Sequence, residues 1–376
     1  GAHPVTLPDR LAASDGAARA GVITTAHNEI PTPMFMPVGT RGSVRTVDSA
    51  DLEGLDAPII LGNTYHLMLR PGEDVIADLG GLHGFMDWGG SVLTDSGGYQ
   101  VFSLEPKITD EGATFRSTYD GTTHLLTPES AVDIQVALGS DIQMVLDVCS
   151  PLPAPRAVLA DAVDLTARWA ERARQRFLHH RAEGFVHGFP LNQFGIVQGG
   201  VDPELRRDSA RRTVGIDFEG YAVGGLSVGE ERDVMFDALD AVMDHLPTGR
   251  PRYLMGVGDP VGIIEAVARG IDIFDCVLPT RLARHGTALT DQGRLNVSRA
   301  EFLRSDASLA DGGPAARYSL GYLRHLFKVG EASASRLLTL HNLWWLLGLV
   351  RRARAAILDG TFESLRGDIH QVWDAD

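Results

Sequence analysis

Eight times along this chain a short apolar run leads into a Gly- or Asp-containing turn. The runs occupy residues 33–40, 57–65, 91–97, 141–149, 194–200, 220–226, 252–257 and 271–279. Each has the length of a strand, and several carry Val, Ile, Phe or Met on successive positions, as strands covered on both faces do. Helical periodicity fills the later gaps, at 127–140, 156–183, 203–215, 231–246 and 259–270. Three of these helices open alike: Thr127-Pro128-Glu129, Asp202-Pro203-Glu204 and Asp259-Pro260 each set a capping oxygen before a first-turn proline. Eight strands alternating with helices predict a (β/α)8 barrel closed near Pro279. An open doubly wound sheet is the competing arrangement, but no GxGxxG fingerprint follows the first run. The expected division is a catalytic barrel over residues 1–280 and, over 281–376, the end of the barrel plus an appendage with helices at 315–328 and 332–356.

A chain of 376 residues, 44% apolar and 22% charged, suits a globular enzyme rather than a disordered or fibrous protein. Its apolar stretches fall short of the roughly 20 residues a membrane span needs. No basic-then-apolar leader is visible, and Gly1-Ala2-His3 reads as a trimmed expression scar, so a cytoplasmic protein without membrane partners is expected. The two cysteines, Cys149 and Cys276, form no CxxC pair, which leaves no disulfide framework or cysteine metal site and suggests two small buried thiols. The net charge of −15 weighs against a nucleic-acid partner, yet it is uneven. From Arg281 onward 13 basic residues face 10 acidic ones, a net of +3, which leaves −18 for the rest. Either a phosphate-bearing partner meets the C-terminal quarter, or these are ordinary helix-surface arginines.

In such a barrel the reacting groups stand where strands end. Those positions carry Asn63, Asp95, Asp147, Gln198, Gly224-Gly225, Met255 and Asp275. One such Asp would be read as a helix cap; three, with an amide and a Gly pair among them, form a constellation. Carboxylates without a Cys/His metal set suit glycosyl transfer, one attacking the anomeric carbon and another handling the leaving group's proton. Asp147 and Gln198 supply the acceptor and donor groups that a purine edge requires. Backbone N–H groups at Gly224-Gly225 can approach a base closely, while Tyr99 and Met255 supply walls for stacking.

The segment Thr94-Asp95-Ser96-Gly97-Gly98-Tyr99-Gln100-Val101-Phe102-Ser103 resembles the signature of the tRNA-guanine transglycosylases. So do Gly62-Asn63-Thr64-Tyr65-His66-Leu67, Gly195-Ile196-Val197-Gln198-Gly199-Gly200 and Gly224-Gly225-Leu226-Ser227-Val228-Gly229-Glu230. Tyr253-Leu254-Met255-Gly256-Val257-Gly258 and Phe274-Asp275-Cys276-Val277-Leu278-Pro279-Thr280-Arg281 complete the set in family order. The resemblance implies that Asp275 is the nucleophile of a covalent ribosyl-enzyme intermediate and Asp95 the general acid/base. It also implies that Asp147, Gln198 and the Gly224-Gly225-Leu226 backbone read the base edge, between Tyr99 and Met255. Cys149 and Val228 match the bacterial type of pocket, which points to 7-aminomethyl-7-deazaguanine (preQ1) or its 7-cyano relative (preQ0) as the incoming base.

Members of that family carry a zinc site of three cysteines, spaced C-x-C-x2-C, and a later histidine. Here His341 stands in place, but Ala310, Gly312 and Ala315 occupy the thiolate positions. One imidazole cannot close a tetrahedral structural site, so no zinc is expected and no other cofactor is implied. The acceptor is expected to be tRNA. The alternatives are a zinc-less paralogue acting on a free guanine nucleoside or nucleotide, and a non-catalytic accessory subunit. A homodimer is a further expectation; His66, Trp344 and Trp345 are candidates for its contact, although core packing accounts better for the tryptophans.

Overall fold

A computed structural model describes residues 12–374, so Gly1-Ala2-His3 lies outside the described residues. Eight barrel strands follow in sequence order: β1, which is Met34–Met36 continued by Val38–Gly39; β2, Ile59–Gly62; β3, Ser91–Thr94; and β4, Ile142–Met144. Then come β5, Asn192–Val197; β6, Gly220–Val223; β7, Arg252–Leu254; and β8, Ile273–Asp275. Each pairs in parallel with the next.

Closure happens across Pro37. Before it, Phe35 is in register with Phe274 of β8; after it, Val38 is in register with Leu61 of β2. Proline has no N–H to donate, but its carbonyl still accepts from Leu61 at 2.9 Å, so the ring of strands is complete. The runs read as doubly covered are so: every residue of β2, β3, β5 and β6 is buried.

The predicted helices appear as Pro128–Leu138, Arg156–Glu183, Pro203–Ile216 (α1), Arg232–Met243 and Pro260–Ala268. Thr127, Asp202 and Asp259 cap them as expected, with Thr127 and Ser130 bonding reciprocally. The helix expected at 315–328 starts only at Leu320, where the Ser319 hydroxyl accepts from Tyr322 N–H. The one expected at 332–356 runs over Ala332–Asp359 (α2) and stops at Gly360, whose φ of 73° ends it. Four six-residue helices between β1 and β3 escaped the periodicity, being under two turns each.

Two further parts have no counterpart in the sequence reading. Strands Ala13–Asp15, Ala18–Thr24 and Glu29–Thr32 form an antiparallel sheet. It covers the N-terminal end of the barrel, where Arg19 grips the buried Asp272 that precedes β8. A second antiparallel sheet, Lys107–Ile108 with Ala113–Arg116 and Thr123–Leu126, is inserted between β3 and β4.

Helix α2 packs on β1 and on strand Ala18–Thr24, and its residues from Leu340 onward share the barrel's apolar core. A separate small core, including Ala288, Val297, Leu309, Ala315, Leu323 and Leu338, is formed by the segment after β8 together with the first part of α2. Trp345 is buried, with its indole N–H on Asp291 at 2.9 Å, so its place is core packing. No helix among the described residues is long and apolar enough to cross a membrane.

Candidate active site

Asp95 follows β3 directly and is held from four directions. Oδ1 accepts N–H groups from Thr64 at 3.0 Å and Gly97 at 3.2 Å, Oδ2 accepts Asn63 Nδ2 at 3.0 Å, and its carbonyl accepts the Thr64 hydroxyl at 2.5 Å. Gly97 has a φ of 84°, and a Cβ there would stand 3.2 Å from Tyr65 N, so the turn after the carboxylate requires glycine.

Asp275 is the last residue of β8. The Tyr253 hydroxyl donates to its Oδ1, and Gly256 N–H donates to the same oxygen at 3.0 Å. Both donors leave Oδ2 untouched. Tyr253 lies in β7, so the strand next door orients this carboxylate.

A third group forms beside them. Gln198, following β5, donates from Nε2 to Asp147 Oδ2 at 2.5 Å, and its own N–H is held by Ser209 Oγ at 2.9 Å. A Cβ on Gly224 would lie 3.0 Å from Gln198 Nε2 and 3.5 Å from Met255 Sδ. On Gly225, whose φ is 71°, it would collide with Gln198 Oε1. Glycine is therefore required at both positions, and Gln198, Gly224, Gly225 and Met255 share one corner. Leu226 is buried behind it. Tyr99 stands apart, 65% exposed on helix Gly98–Phe102, as an open wall rather than a closed sandwich.

Asp95 feels the other two carboxyls. Burial first, then the charges of Asp275 and Asp147, outweigh the Thr64 and Gly97 N–H groups and push Asp95 up to about 7. Burial pushes Asp147 up to about 6 against the Gln198 bond. Asp275 is also raised by burial, while Tyr253 and Gly256 favour its ionised form. Asp95 is thus poised to carry a proton near neutrality, beside a carboxyl on which two donors counter part of the effect of burial. Cys149 and Cys276 are half-buried rather than fully buried. Burial and Asp147 push the Cys149 thiol up to about 12, so no reactive thiolate stands here.

The family described as Queuine tRNA-ribosyltransferase matches residues 14–375. The chain belongs to it. Proteins named Queuine tRNA-ribosyltransferase from Solidesulfovibrio magneticus, Pelotomaculum thermopropionicum and Moorella thermoacetica are 50%, 47% and 48% identical to it. The matches cover 96%, 96% and 95% of this chain and 97%, 96% and 95% of those relatives. The chain is accordingly an enzyme, a pentosyltransferase, on a (β/α)8 barrel with a helical C-terminal part.

As a queuine tRNA-ribosyltransferase family member it departs from the zinc pattern, and its residues do not fit that metal. His341 is fully buried, its Nε2 sits 2.7 Å from Leu289 O, and its ring leans on Trp344 at 5.8 Å. The Trp344 indole lies under the turn opposite, 2.8 Å from where a Cβ on Gly313 would be, and Ala315 is buried in the small core. An indole and alanines offer no ligand for the soft, four-donor cage of a structural zinc. A different cluster, His27, His83 and Asp141, lies at the opposite, N-terminal end of the barrel. Its two imidazoles stack 3.6 Å apart and within 6° of parallel, so their in-plane lone pairs cannot converge on one ion. They bond the two oxygens of Asp141 instead, at 2.6 and 3.0 Å.

Asn63, Tyr253 and Gly256 all lie in the quoted motifs, but no local pattern marks which groups orient the carboxyls. Arg206, fully buried on α1, is not legible in the sequence, because one arginine among several on a helix carries no mark of burial.

Proposed function

We propose that this chain replaces guanine in tRNA with a 7-deazaguanine, preQ1 or preQ0, through a covalent ribosyl–aspartate. In the first half-reaction Asp275 Oδ2 attacks C1′ of the target ribose. The bond from C1′ to the guanine nitrogen breaks, and its electron pair leaves with the base, which takes a proton from Asp95. In the second, Asp95 removes a proton from the incoming base, whose nitrogen displaces Asp275 from C1′. Two inversions retain configuration, and two moderate displacements replace one hard one.

The observation that carries this reading is the unequal treatment of two neighbouring carboxyls. Asp275 has one oxygen fixed by two donors and the other free, as a nucleophile requires. Asp95 has its proton affinity lifted to about 7, which suits a general acid/base at neutral pH. Asp147, Gln198, Gly224 and Gly225 would read the base edge, with Leu226 backing them. Tyr99 and Met255 would stack on the base, and Cys149 with Val228 would suit the smaller deazaguanines rather than queuine. The name borne by the relatives supports tRNA as acceptor. Arg281 and Arg284, exposed on the helix after Asp275, would meet its phosphates despite the acidic total. The zinc-less small core is proposed to hold by apolar packing alone.

The test is incorporation of labelled guanine and preQ1 into a tRNA transcript, with a denaturation-resistant RNA adduct as the second readout. Asp275→Asn should abolish both. Label appearing only in a free nucleotide or nucleoside would instead choose the small-molecule acceptor. No incorporation and no adduct with any base would leave the accessory-subunit reading.

A further inference from the structure

Helix α1 carries Arg206 with no solvent exposure at all. Buried Arg19 and Arg174 each grip a carboxylate. Arg206 bonds backbone carbonyls instead. Its Nε donates to Gly200 O at 2.7 Å, and Nη1 donates to Val197 O at 3.0 Å and Gly224 O at 2.7 Å. Val197 immediately precedes Gln198, and Gly224 immediately precedes Gly225. One side chain therefore ties together, from beneath, the two strand ends that form the base-edge corner. Its Nη2 is buried without a partner, 3.5 Å from where a Cβ of Gly225 would be.

Burying a guanidinium this way is costly, and burial pulls Arg206 down to about 10, still charged at neutrality. The neighbouring backbone explains what the cost achieves. In a trans peptide the C=O and N–H point in opposite directions. While Gly224 O is held on Arg206, the N–H of Gly225 must face away from α1. The link between two glycines is also the one that rotates most freely, since neither side has a Cβ to resist it. A close backbone approach to a flat ligand requires glycines there, and glycines alone would leave the peptide free to flip.

Resting on the proposed base-exchange reading, we infer that Arg206 is a positioning residue that fixes the Gly224–Gly225 peptide with its N–H toward the base. It acts on affinity for the base, not on displacement at C1′. Lysine keeps the charge but cannot fork across three carbonyls.

The experiment measures KM for guanine, KM for tRNA and kcat in the parent chain, Arg206→Lys and Arg206→Gln. KM for guanine should rise roughly ten- to hundred-fold, the equivalent of one charged hydrogen bond, while KM for tRNA and kcat stay within about threefold. Because KM does not depend on how much of a sample is folded, a variant that folds poorly still gives the decisive number. An unchanged KM for guanine overturns the inference. So does a loss in kcat at constant KM, or loss of all exchange in both variants, since either marks a role in general integrity. Should the parent itself exchange no base, the catalytic reading fails separately. Equilibrium dialysis of labelled guanine against parent and Arg206→Lys then still compares affinities.

Discussion

Tyr253 donates its hydroxyl hydrogen to Oδ1 of Asp275, one barrel strand to the next. The bond favours the ionised carboxylate and fixes which oxygen is free. Tyr253→Phe removes it without changing the ring's volume. Losing a hydrogen bond to a charged group costs about 1.5–3 kcal/mol, so kcat should fall roughly ten- to hundred-fold with KM for the base unchanged. Steady-state exchange kinetics read this directly. An unaltered kcat would show that the Tyr253 contact does not tune Asp275.

Asp95 makes both rate and stability depend on pH. In the proposed mechanism the departing guanine takes its proton, so single-turnover adduct formation should decline as pH rises through about 7. The folded value lies above the unfolded one, so this carboxyl's contribution to stability is full in acid and is lost as pH rises toward about 7. Asp95→Asn removes that loss. Its thermal midpoint relative to the parent should be more favourable at pH 8 than at pH 5, and an equal difference at both values would contradict the shift.

Asp141 behaves with the opposite sign. Burial pushes it up, but the bonds from His27 and His83 outweigh burial, so it is held below the ordinary carboxylate range. Its contribution is present above the unfolded value and fades as pH falls through the folded one. Asp141→Asn should cost about 1.5–3 kcal/mol near neutrality, the usual worth of hydrogen bonding to a charged group, and less in strong acid. Being at the far end of the barrel, it should leave kcat per folded molecule intact. Denaturant titration at two pH values, with activity per folded fraction, tests both halves.

The small core should tolerate chelation. Elemental analysis is expected to find substoichiometric zinc, and EDTA should leave the unfolding midpoint unmoved. Trp344→Ala, which empties the space under the 312–313 turn, should cost about 2–4 kcal/mol. A midpoint that drops with chelator would reveal a metal held by residues other than those compared with the family pattern.

The sequence was informative wherever a local pattern carries the physics. Successive apolar residues marked β2, β3, β5 and β6, since a strand covered on both faces has no polar side to show. Thr127, Asp202 and Asp259 announced their helices because a cap works within three residues. Short segments were lost for the converse reason. The helices between β1 and β3 make too few turns for a period, and the strands of the 107–126 sheet, two to four residues each, are too short to show an alternation.

What the amino-acid order determined by itself was the alternation of buried strands and capped helices, and with it Asp95, Asp147, Gln198 and Asp275 at strand ends. Only the tertiary structure decided that Asp95 would carry a proton near neutrality, that Tyr253 would hold one oxygen of Asp275, and that Arg206 would be sealed beneath two glycines. Strand period and helix caps act between near neighbours in the chain. Desolvation and through-space charge come from groups far apart in sequence, and those groups meet only once the barrel has closed.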